Sequence, residues 1–179
     1  MSPGRRCLSH PTRLTFRLLA ALIILELTGP GLSHSTGQPI VVPFPIEISG
    51  GRIRWDLEIR VFRLLNEVRV SSGLTPLAAH AGLRRSARAH ALDMLTHGYL
   101  SHQSRDGRSP QHRARGGETG PRVLGENVGY GTDVDAAHAA FMSSEVHRRL
   151  ILSAAVRLVG IGVVEVRPSG VIVVQDFGR

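Results

Sequence analysis

Residues 159–174, VGIGVVEVRPSGVIVV, decide the architecture. Val159, Ile161 and Val163 alternate with Gly160 and Gly162, Pro168 to Gly170 supply a turn, and Val171 to Val174 is an unbroken β-branched run. This pattern predicts a terminal hairpin whose last strand is buried. A strand that is apolar on both faces needs cover on both, so helices are expected on either side of the sheet.

The chain before the hairpin supplies those helices. From Trp55, apolar Leu57, Val61, Leu64, Leu65 and Val68 recur at helical spacing, with Glu58, Arg60, Arg63, Glu67 and Arg69 between them. Gly73, Thr75 and Pro76 break this amphipathic helix. Leu77 opens a second helical stretch in which Leu83, Ala87, Ala91, Met94 and Leu95 form one face and Arg84, Arg85 and Arg88 face water. It ends near Thr96 to Gly98, and a polar, turn-rich segment with Asp106, Gly107, Pro110, Gly116 and Gly117 runs on to Arg122. Asp133 is placed to cap a third helix reaching Met142, and Glu145 to Leu152 forms a short fourth one. The expectation is one α/β domain over residues 57–179, with no internal repeat.

A chain of 179 residues has room for one such domain and a targeting segment, and the domain is large enough to form a core without a disulfide or metal staple. Residues 1–17 carry Arg5, Arg6, Arg13 and Arg17, residues 18–28 are apolar apart from Glu26 and Thr28, and Gly29 to Ser33 are small or turn-forming. That is the layout of a secretory signal over residues 1–33, its apolar core being shorter than the roughly 20 residues that span a bilayer. The expected location is therefore secreted and extracytoplasmic, with an uncleaved membrane tether as the alternative. Residues 34–56 are expected to be a linker, extended over its proline-containing part.

The lone cysteine, Cys7, precedes the apolar core and leaves with the signal, so the remaining chain has no thiol chemistry. All 22 basic residues are Arg, a composition pointing to a GC-rich bacterial genome. The formal charge is +8, and the part after the signal stays basic. A basic surface attracts anionic partners such as envelope polymers or lipid headgroups. Nucleic acid is not expected as a partner: aromatic residues are only 4% and the arginines are scattered.

No phosphate-binding loop ending in GKS or GKT, HExxH, GxSxG or complete GxGxxG occurs, and no organic cofactor site is expected. The residues left for chemistry are His102 in YLSH, Glu126 in GEN, and Glu145 and His147 in SSEVHRRL. Imidazole and carboxylate are suited both to a divalent ion such as zinc and to acid/base work near neutral pH. His80, His90, His97, His112 and His138 read as surface or internally satisfied histidines.

The ordered segments NEVRVSSGLTPL, ARAHALDM, YLSH, RSPQHRAR, GENVGYG, SSEVHRRLIL, VGIGVV and VVQDFG resemble the bacterial branch of the CAP superfamily, or SCP domains, over about Ile59 to Gly178. The resemblance implies a three-layer α/β/α sandwich with a mainly antiparallel sheet. It also implies a cleft of two histidines and two glutamates that holds a divalent metal in some members. His102, Glu126 and His147 match three of these positions, as metal ligands or as catalytic groups. The fourth departs, because Ser144 stands where the second carboxylate would be; Glu145, one residue along, is a further candidate ligand. Asn127 and Ser144 are expected to support the cleft. The functional expectation is a secreted binding module for a metal and a small molecule, lipid, glycan or peptide. The alternatives are a metal-assisted or Glu-assisted hydrolase and a structural envelope protein.

Overall fold

The computed structural model describes residues 22–23, 51–115, 120–168 and 170–179. The rest of the signal, residues 34–50 of the linker, Gly116, Gly117 and Ser169 lie outside them. The elements, in chain order, are β1 (Leu22–Ile23), β2 (Arg52–Ile53), α1 (Trp55–Ser71), β3 (Ala78–Ala79), α2 (Ala81–His97) and α3 (Pro110–Ala114), then β4 (Val123–Gly131), α4 (Val134–Ser143), α5 (Glu145–Ile151), β5 (Leu158–Glu165) and β6 (Val171–Gly178). The sheet runs β1-β4-β6-β5-β2, with β3 attached to β5. Every ladder is antiparallel except that of β3.

Glycine alternation in β5 seats a helix. A Cβ on Gly160 would come within 2.1 Å of the Leu83 backbone, and one on Gly162 within 2.5 Å of the Ala87 backbone. Helix α2 therefore lies directly on β5, and Ala87, Ala91, Met94 and Leu95 pack against Val128, Tyr130, Ile172 and Val174. On the opposite face Val61, Leu65, Phe141 and Ile151 of α1, α4 and α5 cover Val159, Ile161, Val163, Val173 and Phe177. Both faces are covered, as the apolar hairpin requires, and the architecture is an α/β/α sandwich.

Two local expectations are corrected. Helix α2 begins at Ala81 rather than Leu77, because Ala78 and His80 donate their backbone N–H groups to Arg157 O and Val159 O, both at 2.9 Å, which holds this stretch extended. His80 then caps the helix, accepting from Leu83 N at 3.3 Å. The polar segment contains α3, started by Ser109 with Pro110 at the first helical position. The GEN motif lies on β4, paired with β6 along its length.

Two charged residues that read as polar positions of α1 are buried. Glu58 accepts two bonds from Arg88, at 2.7 and 2.5 Å, which leaves Arg88 half-buried. Arg69 is completely buried and donates to Thr75 O, Ile151 O, Ser153 O and Val156 O at 2.7–3.4 Å.

Candidate functional site

Register decides where the site forms. Glu126 of β4 stands directly opposite Asp176 of β6, which in turn faces Gly160 of β5. Side chains alternate across a strand, so Glu126 shares with Val128 and Tyr130 the face that α2 covers, while Asn127 points to the α5 side. The two polar residues of the GEN motif thus anchor opposite layers to one strand.

On the α2 side the Glu126 side chain is almost wholly enclosed, with 1% of its surface exposed, and both its oxygens are engaged. Oε1 accepts from His102 Nδ1–H at 2.9 Å, and Oε2 accepts from Arg113 Nη2. Arg113, on α3, also donates through Nη1 to His102 O at 2.8 Å, Arg108 O at 2.9 Å and Ser104 Oγ at 3.3 Å. One guanidinium therefore holds both the carboxylate and the loop carrying His102. Burial would push the Glu126 carboxyl up, but the His102 hydrogen bond and the positive charge of Arg113 outweigh it, and the group sits below the usual glutamate range.

Behind this pair lies Asp176, with no exposed surface. Burial and the charge of Glu126 push its carboxyl well above the usual aspartate range, opposite in direction to Glu126. Ser86 flanks it. Nearby, His90 donates from Nε2 to Ser101 O at 2.7 Å, and burial lowers its affinity for a second proton.

On the α5 side, Asn127 Nδ2 donates to Gln175 Oε1 at 3.1 Å and lies 3.5 Å from His147 O. Ser144 occupies the N-cap position of α5, yet its Oγ makes no cap bond. It pairs instead with His147 Nδ1 at 2.8 Å and orients the buried imidazole, which also packs on Phe141. Glu145 is an exposed residue paired with Arg149.

His102, Glu126, Asn127 and His147 come together on one cavity of about 610 Å³ between α3 and α5, whose lining does not include Ser144 or Glu145. Among the described residues no three His, Cys, Asp or Glu side chains converge as a ready metal cage. The donors that fit an ion are the imidazoles of His102 and His147, each oriented through Nδ1; the Glu126 carboxylate acts on His102 rather than on the cavity. A second cavity of about 650 Å³ lies beyond Arg113, against Ser86 and His90. Its acids Asp93 and Asp106 already have partners, and none of the sequence-derived candidates lines it.

Arg113 and Asp176 were not legible as site residues by spacing. A signal for Asp176 does exist: it is the one charged residue in the buried strand VIVVQDFG, where an ionisable group is costly unless it has a role.

The family model for the cysteine-rich secretory protein family (CAP) matches residues 62–177. The Bacillus subtilis protein YkwD is 36% identical over 121 residues, which are 67% of this chain and 46% of that protein. The B. subtilis membrane protein YlbC is 31% identical over 113 residues, 63% of this chain and 33% of that one. This chain thus spans less than half the length of these curated relatives. Among solved structures, an extracellular protein containing an SCP domain from Bacillus anthracis superposes with a TM-score of 0.62 at 28% identity, covering 69% of this chain and 40% of that one. An outer surface protein from Borrelia burgdorferi superposes at 0.66 with 17% identity, covering 73% and 98%, a likeness of fold.

Proposed function

Because the chain belongs to the cysteine-rich secretory protein (CAP) family, we propose that it is an extracytoplasmic binding module whose cleft holds a divalent cation on His102 and His147 beside a larger ligand. The observation that carries this reading is the double engagement of Glu126. A carboxylate held by an arginine and a histidine, and kept below its ordinary titration range, is a weak general base, which favours positioning over water activation. It is well suited to orient His102, as carboxylates do for metal-binding imidazoles. When bound, the ion would supply a positive anchor for an oxygen of the ligand. The basic surface supports retention at an anionic envelope. The charged-then-apolar leader supports export, and no described helix is long and apolar enough to cross a membrane.

Calorimetric titration with zinc tests the proposal. Wild type should bind one equivalent, the His102→Ala, His147→Ala double variant should bind at least tenfold more weakly, and Glu145→Ala should bind as wild type does. Equal binding by wild type and the double variant would remove the metal from the reading.

A further inference from the structure

The cleft is shaped by the edge of the sheet rather than by a face. Its lining takes in Leu124, Gly125, Glu126 and Asn127, four consecutive residues of β4. Successive side chains of a strand point to opposite faces, and the register shifts between Val123 and Gly125, so a cavity that touches residues of both faces reaches the edge of the strand. On its inner side β4 is paired with β6 from Val123 to Gly131, whereas on its outer side the described strand partners reach only Gly129 and Tyr130. Past the register irregularity between Val123 and Gly125, the outward-directed N–H and C=O groups of this stretch have no described strand partner. The amide of Val123, at the mouth, is taken by a side chain, Gln111 Oε1 at 2.9 Å.

The two walls differ in character. On the α5 side stand Val146 and Leu150; on the α3 side stand His102, Gln103 and Ser109. A strand laid along β4 would send alternate side chains to these two walls. Farther along the same edge, Leu22 and Ile23 already pair with Tyr130 and Gly129 in antiparallel register, so extended backbone is accepted there.

We propose that the ligand of this cleft is an extended segment of a partner polypeptide, added antiparallel to β4 at Leu124 to Val128. Its residues alternate between apolar side chains against Val146 and Leu150 and polar side chains against His102, Gln103 and Ser109. Main-chain hydrogen bonds supply affinity and the two walls supply selectivity, as in other strand-addition complexes. The proposal rests on the reading of the cleft as a binding site and names the class of its ligand.

The test uses the chain expressed from its full sequence, panned against a displayed library of random 12-residue peptides. Enriched peptides are then resynthesised with single backbone N-methyl groups. The expected result is a loss of at least tenfold in affinity at every second position with little change between, and a comparable loss on Val146→Glu, a partly exposed wall residue whose replacement leaves the core intact. No enrichment, N-methyl effects without alternation, or equal binding to Val146→Glu would overturn the proposal. So would stronger binding by a peptide of residues 22–28, or dimerisation blocked by Val146→Glu, because the edge would then serve this chain itself. Zinc and peptide fail separately: alternating N-methyl losses retained in the His102→Ala, His147→Ala variant would keep strand addition without the metal.

Discussion

Two buried arginines clasp separate parts of this molecule, and they do so with different sets of partners. Arg69 donates to backbone carbonyls from the turn after α1 and the segment after α5, without a carboxylate among them. Its burial lowers its proton affinity, with the charge of Arg157 adding to the effect. Arg113 donates to one carboxylate, a hydroxyl and two carbonyls beside the cleft. The first clasp joins main chain to main chain and cannot be exchanged. The second adds a carboxylate and a hydroxyl to two carbonyls, so its charge is tied to the cleft.

The largest effect should come from the clasp without a counter-charge. Arg69→Met strands buried carbonyls that lose about 1 to 3 kcal/mol each when left unmet, so a total on the order of 4 kcal/mol is expected, read as a lowered urea midpoint. No second substitution should rescue it, since its acceptors are backbone. A second-site suppressor recovering full stability would break the distinction between the two arginines.

Arg113→Met should cost on the order of 3 kcal/mol, because it leaves Glu126 buried without its cation. Here rescue is expected. Adding Glu126→Gln removes the stranded charge and should recover more than half of the loss, while zinc binding stays weak because His102 has lost its orienting carboxylate. If the double variant is as unstable as the single one, Arg113 works mainly through the His102 and Arg108 carbonyls and resembles Arg69 after all.

What the sequence makes legible follows the same division. Periodic burial marks α1 and α2, the Asp133 cap marks α4, and β-branching marks β6, because these signals are local. Strand β4 is hidden: VLGENVGYG is rich in glycine and polar residues, and its extended form is specified by pairing with β6. The cleft residues His102, Glu126 and His147 are readable because the order of short segments places them. The role of Ser144 is not, since its Oγ could equally have capped α5. Arg69 was within reach: it follows Val61 and Leu65 at four-residue spacing, squarely on the buried stripe. A charge on that stripe signals a buried clasp, whereas Arg113 gives no such sign because α3 is too short to show a periodicity.

The smallest effect should have the opposite sign. Asp176 is held above its ordinary range by burial and by Glu126, so its folded-state pKa exceeds its unfolded value near 3.9. Between those two values the folded state binds the extra proton, and stability contributed by this group falls as pH rises through that window. Glu126, held below its ordinary range, behaves inversely: its contribution is present above the unfolded value near 4.3 and is lost as pH falls through the folded one. Asp176→Asn should therefore stabilise the protein at neutral pH, on the order of 1 kcal/mol, and make little difference well below the unfolded value near 3.9, where the Asp176 carboxyl is protonated in both states. Thermal melts of the two proteins across pH 3 to 8 give the comparison. Destabilisation at neutral pH that fades on acidification would mean that Asp176 bears its charge in the fold and draws on Arg113 as Glu126 does, making the cleft cluster a three-way ion network rather than a single pair backed by a neutral acid.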